Sequence, residues 1–97
     1  MATLVIEQNP VATEVEIDSQ MLTIKLADGR SLAVPLSWYP RLQHANESER
    51  LNWQLLGGGY AIEWPGLDEQ IGVEGLVAGR KSGESDECLR RWLNSRK

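Results

Sequence analysis

The stretch Ala12-Thr13-Glu14-Val15-Glu16-Ile17-Asp18-Ser19-Gln20-Met21-Leu22-Thr23-Ile24-Lys25-Leu26-Ala27-Asp28-Gly29-Arg30-Ser31-Leu32-Ala33-Val34 decides the fold. Val15 and Ile17 alternate with Glu14 and Glu16, and Leu22, Ile24 and Leu26 alternate with Thr23 and Lys25, the period of two expected of half-buried antiparallel strands. Asp18-Ser19-Gln20 predicts a short turn between them. Ala27-Asp28-Gly29-Arg30 puts a glycine where a hairpin needs positive φ, so residues 31 to 34 should return as a third strand. The expected product is a meander with one apolar face. Upstream, Thr3 to Glu7 could add an edge strand before Asn9-Pro10, and such an edge leaves pairing between chains open.

Downstream, the segment from Pro35 to Glu69 gathers three of the four tryptophans, both tyrosines, the single histidine and three of the four prolines. Pro35 removes a ladder donor and should end the third strand. Ser37 is the expected N-cap of a helix that tolerates Pro40 in its first turn, with Trp38, Leu42 and Ala45 on one face. Asn46 followed by Glu49 has capping-box spacing for a further helical turn that would bury Leu51. Trp53 to Leu56, the glycines 57 to 59 and Tyr60 to Trp64 read as a second hairpin, with Tyr60, Ile62 and Trp64 on one face. Residues 67 to 71 receive no element. Val73 to Gly79 suits a short helix closed by Gly79, residues 80 to 85 read as a linker, and 85 to 95 as a helix with Cys88, Leu89, Trp92 and Leu93 on one stripe.

The expected architecture is α+β: a small antiparallel sheet, made of the meander and a second hairpin, packed with two or three short helices. A chain of 97 residues suits one domain, 1–97, with a core of about 12–79 and the final helix at 85–95. The lone Cys88 lies among Glu84, Ser85, Asp86 and Glu87, where negative charge disfavours the thiolate. With no partner for a disulfide, no apolar run of membrane length and no export signal, the expected setting is the cytoplasm. The net charge of −4 argues against unaided nucleic-acid binding.

Catalytic patterns are weak. His44 with Glu47 and Glu49 matches no metal spacing, and Ser37 stands about two helical turns from His44, too far for a nucleophile and its base. The glycine triplet is followed by a strand, not by the helix a phosphate loop requires. Glu63, Asp68 and Glu69 around Trp64 have the composition of a sugar site, but the chain offers little material for cleft walls. No catalytic residue, metal or cofactor is expected. Trp53 and Trp64 are assigned to the core, whereas Tyr39 and Arg41 are expected to face outwards, Trp, Tyr and Arg being the residues enriched at interface hot spots.

Asp28-Gly29-Arg30 after an alternating strand, Pro35-Leu36 with Trp38-Tyr39-Pro40-Arg41-Leu42, the Trp53 segment, Ile62-Glu63-Trp64-Pro65, Leu67-Asp68-Glu69 and Gly75-Leu76 together resemble the bacterial domain of unknown function 2442. The resemblance runs from about residue 12 to about residue 79. It implies a small α+β domain of a kind sometimes fused to a helix-turn-helix module, and often encoded beside another small protein in what resembles a toxin–antitoxin pair. Residues 80 to 97 are expected to hold one short helix and not a helix-turn-helix module. The resemblance carries no catalytic residues, and the expected function is a non-enzymatic protein–protein interaction module, antitoxin-like, binding a basic partner encoded nearby. Its binding residues are expected to be Trp38, Tyr39, Arg41, Asp68 and Glu69. The alternatives are a small-molecule or carbohydrate site around Trp64 and Glu63, and an accessory nucleic-acid regulator using the C-terminal arginines.

Overall fold

The computed structural model describes residues 10–96; the edge strand expected at 3 to 7 lies outside them. The meander forms as β1 (Ala12–Ile17), β2 (Met21–Leu26) and β3 (Ser31–Pro35), paired antiparallel in that order. Asp18 closes the first turn by accepting the Gln20 and Met21 amides at 2.7 Å each. In the second turn Gly29 has φ +99°, and Asp28 accepts the Arg30 amide at 3.0 Å. Ala12 opposes Leu26 while Glu14 opposes Lys25, which leaves Thr13 as a bulge. The bulge explains why Ala12 and Val15, three residues apart, both point into the core.

After β3 the chain makes a 3₁₀ turn, Leu36–Trp38, and then α1 (Pro40–Gln43). Ser37 therefore caps nothing. Tyr39 occupies the N-cap of α1 without a side-chain bond, and Pro40 starts that helix, where its missing N–H costs nothing. The expected capping box does form at the start of α2 (Glu47–Leu51), where Asn46 and Glu49 satisfy each other's main-chain amides. Leu51, expected inside, is instead largely exposed, because α2 is a single turn that ends there.

The second hairpin is β4 (Gln54–Leu56) and β5 (Ala61–Trp64), to which β6 (Glu69–Gly72) adds a third antiparallel strand. Tyr60 belongs to the turn, so the parity that buries Ile62 and Trp64 does not extend to it, and its ring is exposed. A 3₁₀ turn at Pro65–Leu67 joins β5 to β6, which leads directly into α3 (Val73–Val77), closed by Gly79 in the left-handed region.

One apolar cluster spans both sheets. Val15, Leu22, Ile24 and Val34 come from the first sheet and Ile62, Trp64 and Ile71 from the second, with Leu36, Leu42, Leu67, Val73 and Leu76 from the connections. The sheets also meet through main chain at Gly59, whose carbonyl accepts the Ala12 amide at 2.8 Å. A Cβ on Gly59 would fall 2.2 Å from the Ala12 carbonyl oxygen, so only glycine permits this approach. The final helix, α4 (Asp86–Ser95), is capped by Ser85; Leu89, Trp92 and Leu93 are half-buried, while Cys88 is exposed.

Candidate functional site

Arg41, on the first turn of α1, is the hub of the most connected polar cluster. Its Nε and Nη2 donate to the Glu84 carboxylate at 2.6–3.0 Å, the forked geometry that makes arginine–carboxylate pairs strong. Its Nη1 donates to the main-chain carbonyls of Leu67 at 3.0 Å and Asp68 at 3.2 Å. Asp68 sits at φ +51°, a conformation aspartate tolerates better than most residues. The guanidinium also lies 5.0 Å from the centre of the Trp92 ring. Only 16% of the Arg41 side chain and 11% of the Glu84 side chain reach solvent. The hydrogen-bonded carboxylate raises the Arg41 pKa above its ordinary value.

Tyr39, expected to face outwards, is 4% exposed. It stands between the 3₁₀ turn and α1, and its hydroxyl donates to the Arg80 carbonyl at 2.8 Å. Burial, and secondarily the Glu69 charge, pushes its pKa up. The inward turn has a simple cause: this ring covers apolar core while its one polar atom meets a main-chain acceptor. Arg41 is likewise turned in, because two carbonyls and a carboxylate absorb its donors.

Trp38 is half-buried. Its carbonyl accepts the Ser82 amide at 3.0 Å, and the Lys81 ammonium stands 5.4 Å from its ring centre. Glu69 opens β6 opposite Trp64. Burial lifts its pKa to about 6, Arg41 opposes the rise, and Glu84 and Asp68 add to it. Of the five, only Asp68, with 98% of its side chain exposed, lies at the surface, its carboxylate 3.9 Å from the Arg41 guanidinium.

Trp38, Tyr39, Arg41 and Glu69 thus lie beside the segment 80–85, expected to be a linker, while Asp68 reaches only Arg41. That segment is strapped down by Tyr39, Trp38 and Arg41, and it delivers α4 to a second ion pair, Arg96 with Glu49 at 2.7 Å. Arg96 also stacks on Trp92, 4.5 Å from the ring centre. Sequence reasoning missed Glu84, Lys81, Trp92, Glu49 and Arg96 as partners. The only signal was the surplus of charge in 80–87, and nothing in it named Arg41, 43 residues away.

Other candidates separate from this cluster. Trp64 is fully buried and its indole N–H donates to the Arg50 carbonyl at 3.0 Å, so it presents no platform to a sugar. The glycines 57 to 59 all have positive φ and lead into β5. Among the described residues no group of three His, Cys, Asp or Glu side chains could hold a metal, and no helix is long and apolar enough to cross a membrane.

A shallow groove of about 410 Å³ lies between the first meander turn and α2, lined by Ile17, Asp18, Ser19, Glu47, Arg50 and Leu51. Leu51, 60% exposed, is the most exposed large apolar side chain among the described residues. In the same groove, the Gln20 and Met21 amides that donate to Asp18 hold its carboxyl below its ordinary pKa. Arg50 directs its guanidinium to the Leu42 and Gln43 carbonyls, both at 2.9 Å.

Two three-stranded antiparallel sheets over one core, joined by single-turn helices, define the class as a small α+β domain. Residues 12–82 match the family described as "Protein of unknown function (DUF2442)", and the chain belongs to that family. Among solved structures it is similar to a protein of unknown function from Rhodospirillum rubrum. The two are 26% identical, the match covers 79% of this chain and 95% of that one, and the TM-score is 0.69. No curated protein matches.

Proposed function

We propose that this chain is a non-enzymatic protein-interaction module, one half of an antitoxin-like pair of small proteins, and that it takes a basic partner at the groove beside Leu51. The observation that carries this reading is an exposed leucine in a groove whose lining also includes two carboxylates, Asp18 and Glu47, and one cation, Arg50, itself engaged with the Leu42 and Gln43 carbonyls. Such a surface suits a partner segment bearing an apolar side chain beside lysine or arginine. Apolar contact would supply affinity, and opposite charge would steer approach and reject acidic competitors.

This moves the interaction face away from Tyr39 and Arg41, whose polar groups are engaged within the chain. The chain's net charge of −4 favours the same class of partner. The test is co-expression with any small basic protein that an adjacent gene encodes. Co-purification of the two, lost on Leu51→Asp, supports the reading. Absence of co-purification, with no change in tryptophan fluorescence on mixing the purified proteins, overturns it.

A further inference from the structure

Glu69 is half-buried at the start of β6, and among the described residues nothing donates to its carboxylate and no cation pairs with it. Arg41 is close enough for its charge to be felt, yet it directs its donors to Glu84 and to the Leu67 and Asp68 carbonyls. A carboxylate drawn out of water without a donor is unfavourable. Every side-chain polar atom that the described residues seal from solvent does have a partner, so the Glu69 oxygens keep access to solvent. Glu69 lines a cavity of about 270 Å³ with Tyr39, Gln70, Gly72, Arg80 and Lys81. β6 is an edge strand of its sheet. Because the Val73 amide donates to Tyr60 and Gly72 opposes Ala61, the Gln70 and Gly72 amides point off the free edge, where no described main-chain group accepts them.

We infer that this cavity binds a small zwitterion of the α-amino acid class, its ammonium group on the Glu69 carboxylate and its carboxylate on the Gln70 and Gly72 amides, with Arg80 and Lys81 alongside. The unpartnered carboxylate calls for a cationic donor. The two amides and the two exposed cations call for an anion, so a polyamine meets repulsion at Arg80 and Lys81 and a plain carboxylic acid meets it at Glu69. A ligand with both charges a few bonds apart satisfies both sets. Unpaired polar groups converging on a concavity are what a small-molecule site needs. Burial raises the pKa of Glu69 against the opposing effect of Arg41, which is the same desolvation seen from the side of the proton. The groove beside Leu51 shares no residue with this cavity, so the two proposals stand or fall separately.

The isotope-labelled full-length protein is titrated at pH 7.5 with each of the standard amino acids in turn, with amide chemical shifts as the readout. Saturable shifts at Gln70 and Gly72 are expected with at least one of them. The amine and the carboxylic acid that each keep only one end of that amino acid should bind at least about tenfold more weakly, the loss of one charge-assisted contact. With a pKa of about 6, Glu69 is mostly protonated at pH 5, so affinity should fall about tenfold between pH 7.5 and pH 5. Arg41, Glu84, Asp68 and the Tyr39 hydroxyl face the same carboxylate, and Glu69→Gln identifies the titrating group. Its binding should be about tenfold weaker at pH 7.5 and should no longer change with pH. Removing this charge is expected to stabilise the fold near neutral pH, so lost binding is not lost folding. No saturable shift with any amino acid overturns the inference, as does equal binding by the wild type and Glu69→Gln. An amine that binds as tightly as its amino acid, undisturbed by Arg80→Ala/Lys81→Ala, overturns the assignment of a zwitterion.

Discussion

Removing the Arg41–Glu84 pair should cost the protein a sizeable fraction of its stability. A chain of this length is held by about 5–15 kcal/mol. Fully exposed ion pairs are worth about 0–1 kcal/mol, and breaking a fully buried one costs about 3–5 kcal/mol. With one partner 16% and the other 11% exposed, and three guanidinium–carboxylate hydrogen bonds between them, this pair belongs nearer the buried end. Glu84→Gln leaves the Arg41 charge half-satisfied by the Leu67 and Asp68 carbonyls, so about 2–3 kcal/mol is expected.

Arg41→Met also removes both carbonyl bonds, which is why a double-mutant cycle is needed to isolate the pair. Urea unfolding of the wild type, Glu84→Gln, Arg41→Met and the double variant should give a coupling of about 2 kcal/mol with unchanged m. A coupling below about 0.5 kcal/mol would refute the reasoning, because it would make the fork an ordinary surface contact.

The half-buried Glu69 should give stability a characteristic pH dependence. Its folded pKa of about 6 exceeds the ordinary 4.5, so between those values the native state holds more protons than the unfolded one. The stabilising contribution is present below about pH 4.5 and lost as pH rises through 6. Glu69→Gln should therefore raise stability at pH 7 by about 1 kcal/mol, allowing for solvent screening of a partly exposed group, and change it little at pH 4; urea midpoints at the two pH values check this. Gly59→Ala, with φ +113° and a Cβ at 2.2 Å from the Ala12 carbonyl, should cost about 3 kcal/mol or more by thermal unfolding. Gly58→Ala, at φ +73° with open space around it, should cost only about 1 kcal/mol.

The meander was legible in the sequence because Val15, Leu22, Ile24 and Val34 repeat at the strand period and Gly29 marks the turn. The capping box was legible because both partners lie within four residues. β6 was not, since Glu69-Gln70-Ile71-Gly72 carries one inward apolar side chain, and its identity as a strand comes from its antiparallel pairing with β5. Of the cluster around Arg41, the sequence shows neither the long-range partners nor the inward direction of Tyr39 and Arg41. Tyr39 turns inward because the Arg80 carbonyl, 41 positions away, satisfies its hydroxyl. The segment 80–85 reads as a linker because its contacts are polar and distant, a kind of order that composition does not record. Leu51 was placed inside by helical spacing, which fails where a helix is too short to present a second turn to the core.

The most direct measurement is calorimetric titration of this chain with a candidate for the proposed basic partner, comparing the wild type with Leu51→Asp and Asp68→Ala. Burying a leucine contributes about 1.5–3 kcal/mol, so Leu51→Asp should weaken binding at least about tenfold. Unaltered binding by Leu51→Asp together with weakened binding by Asp68→Ala would contradict the assignment and return the interaction face to the neighbourhood of Arg41.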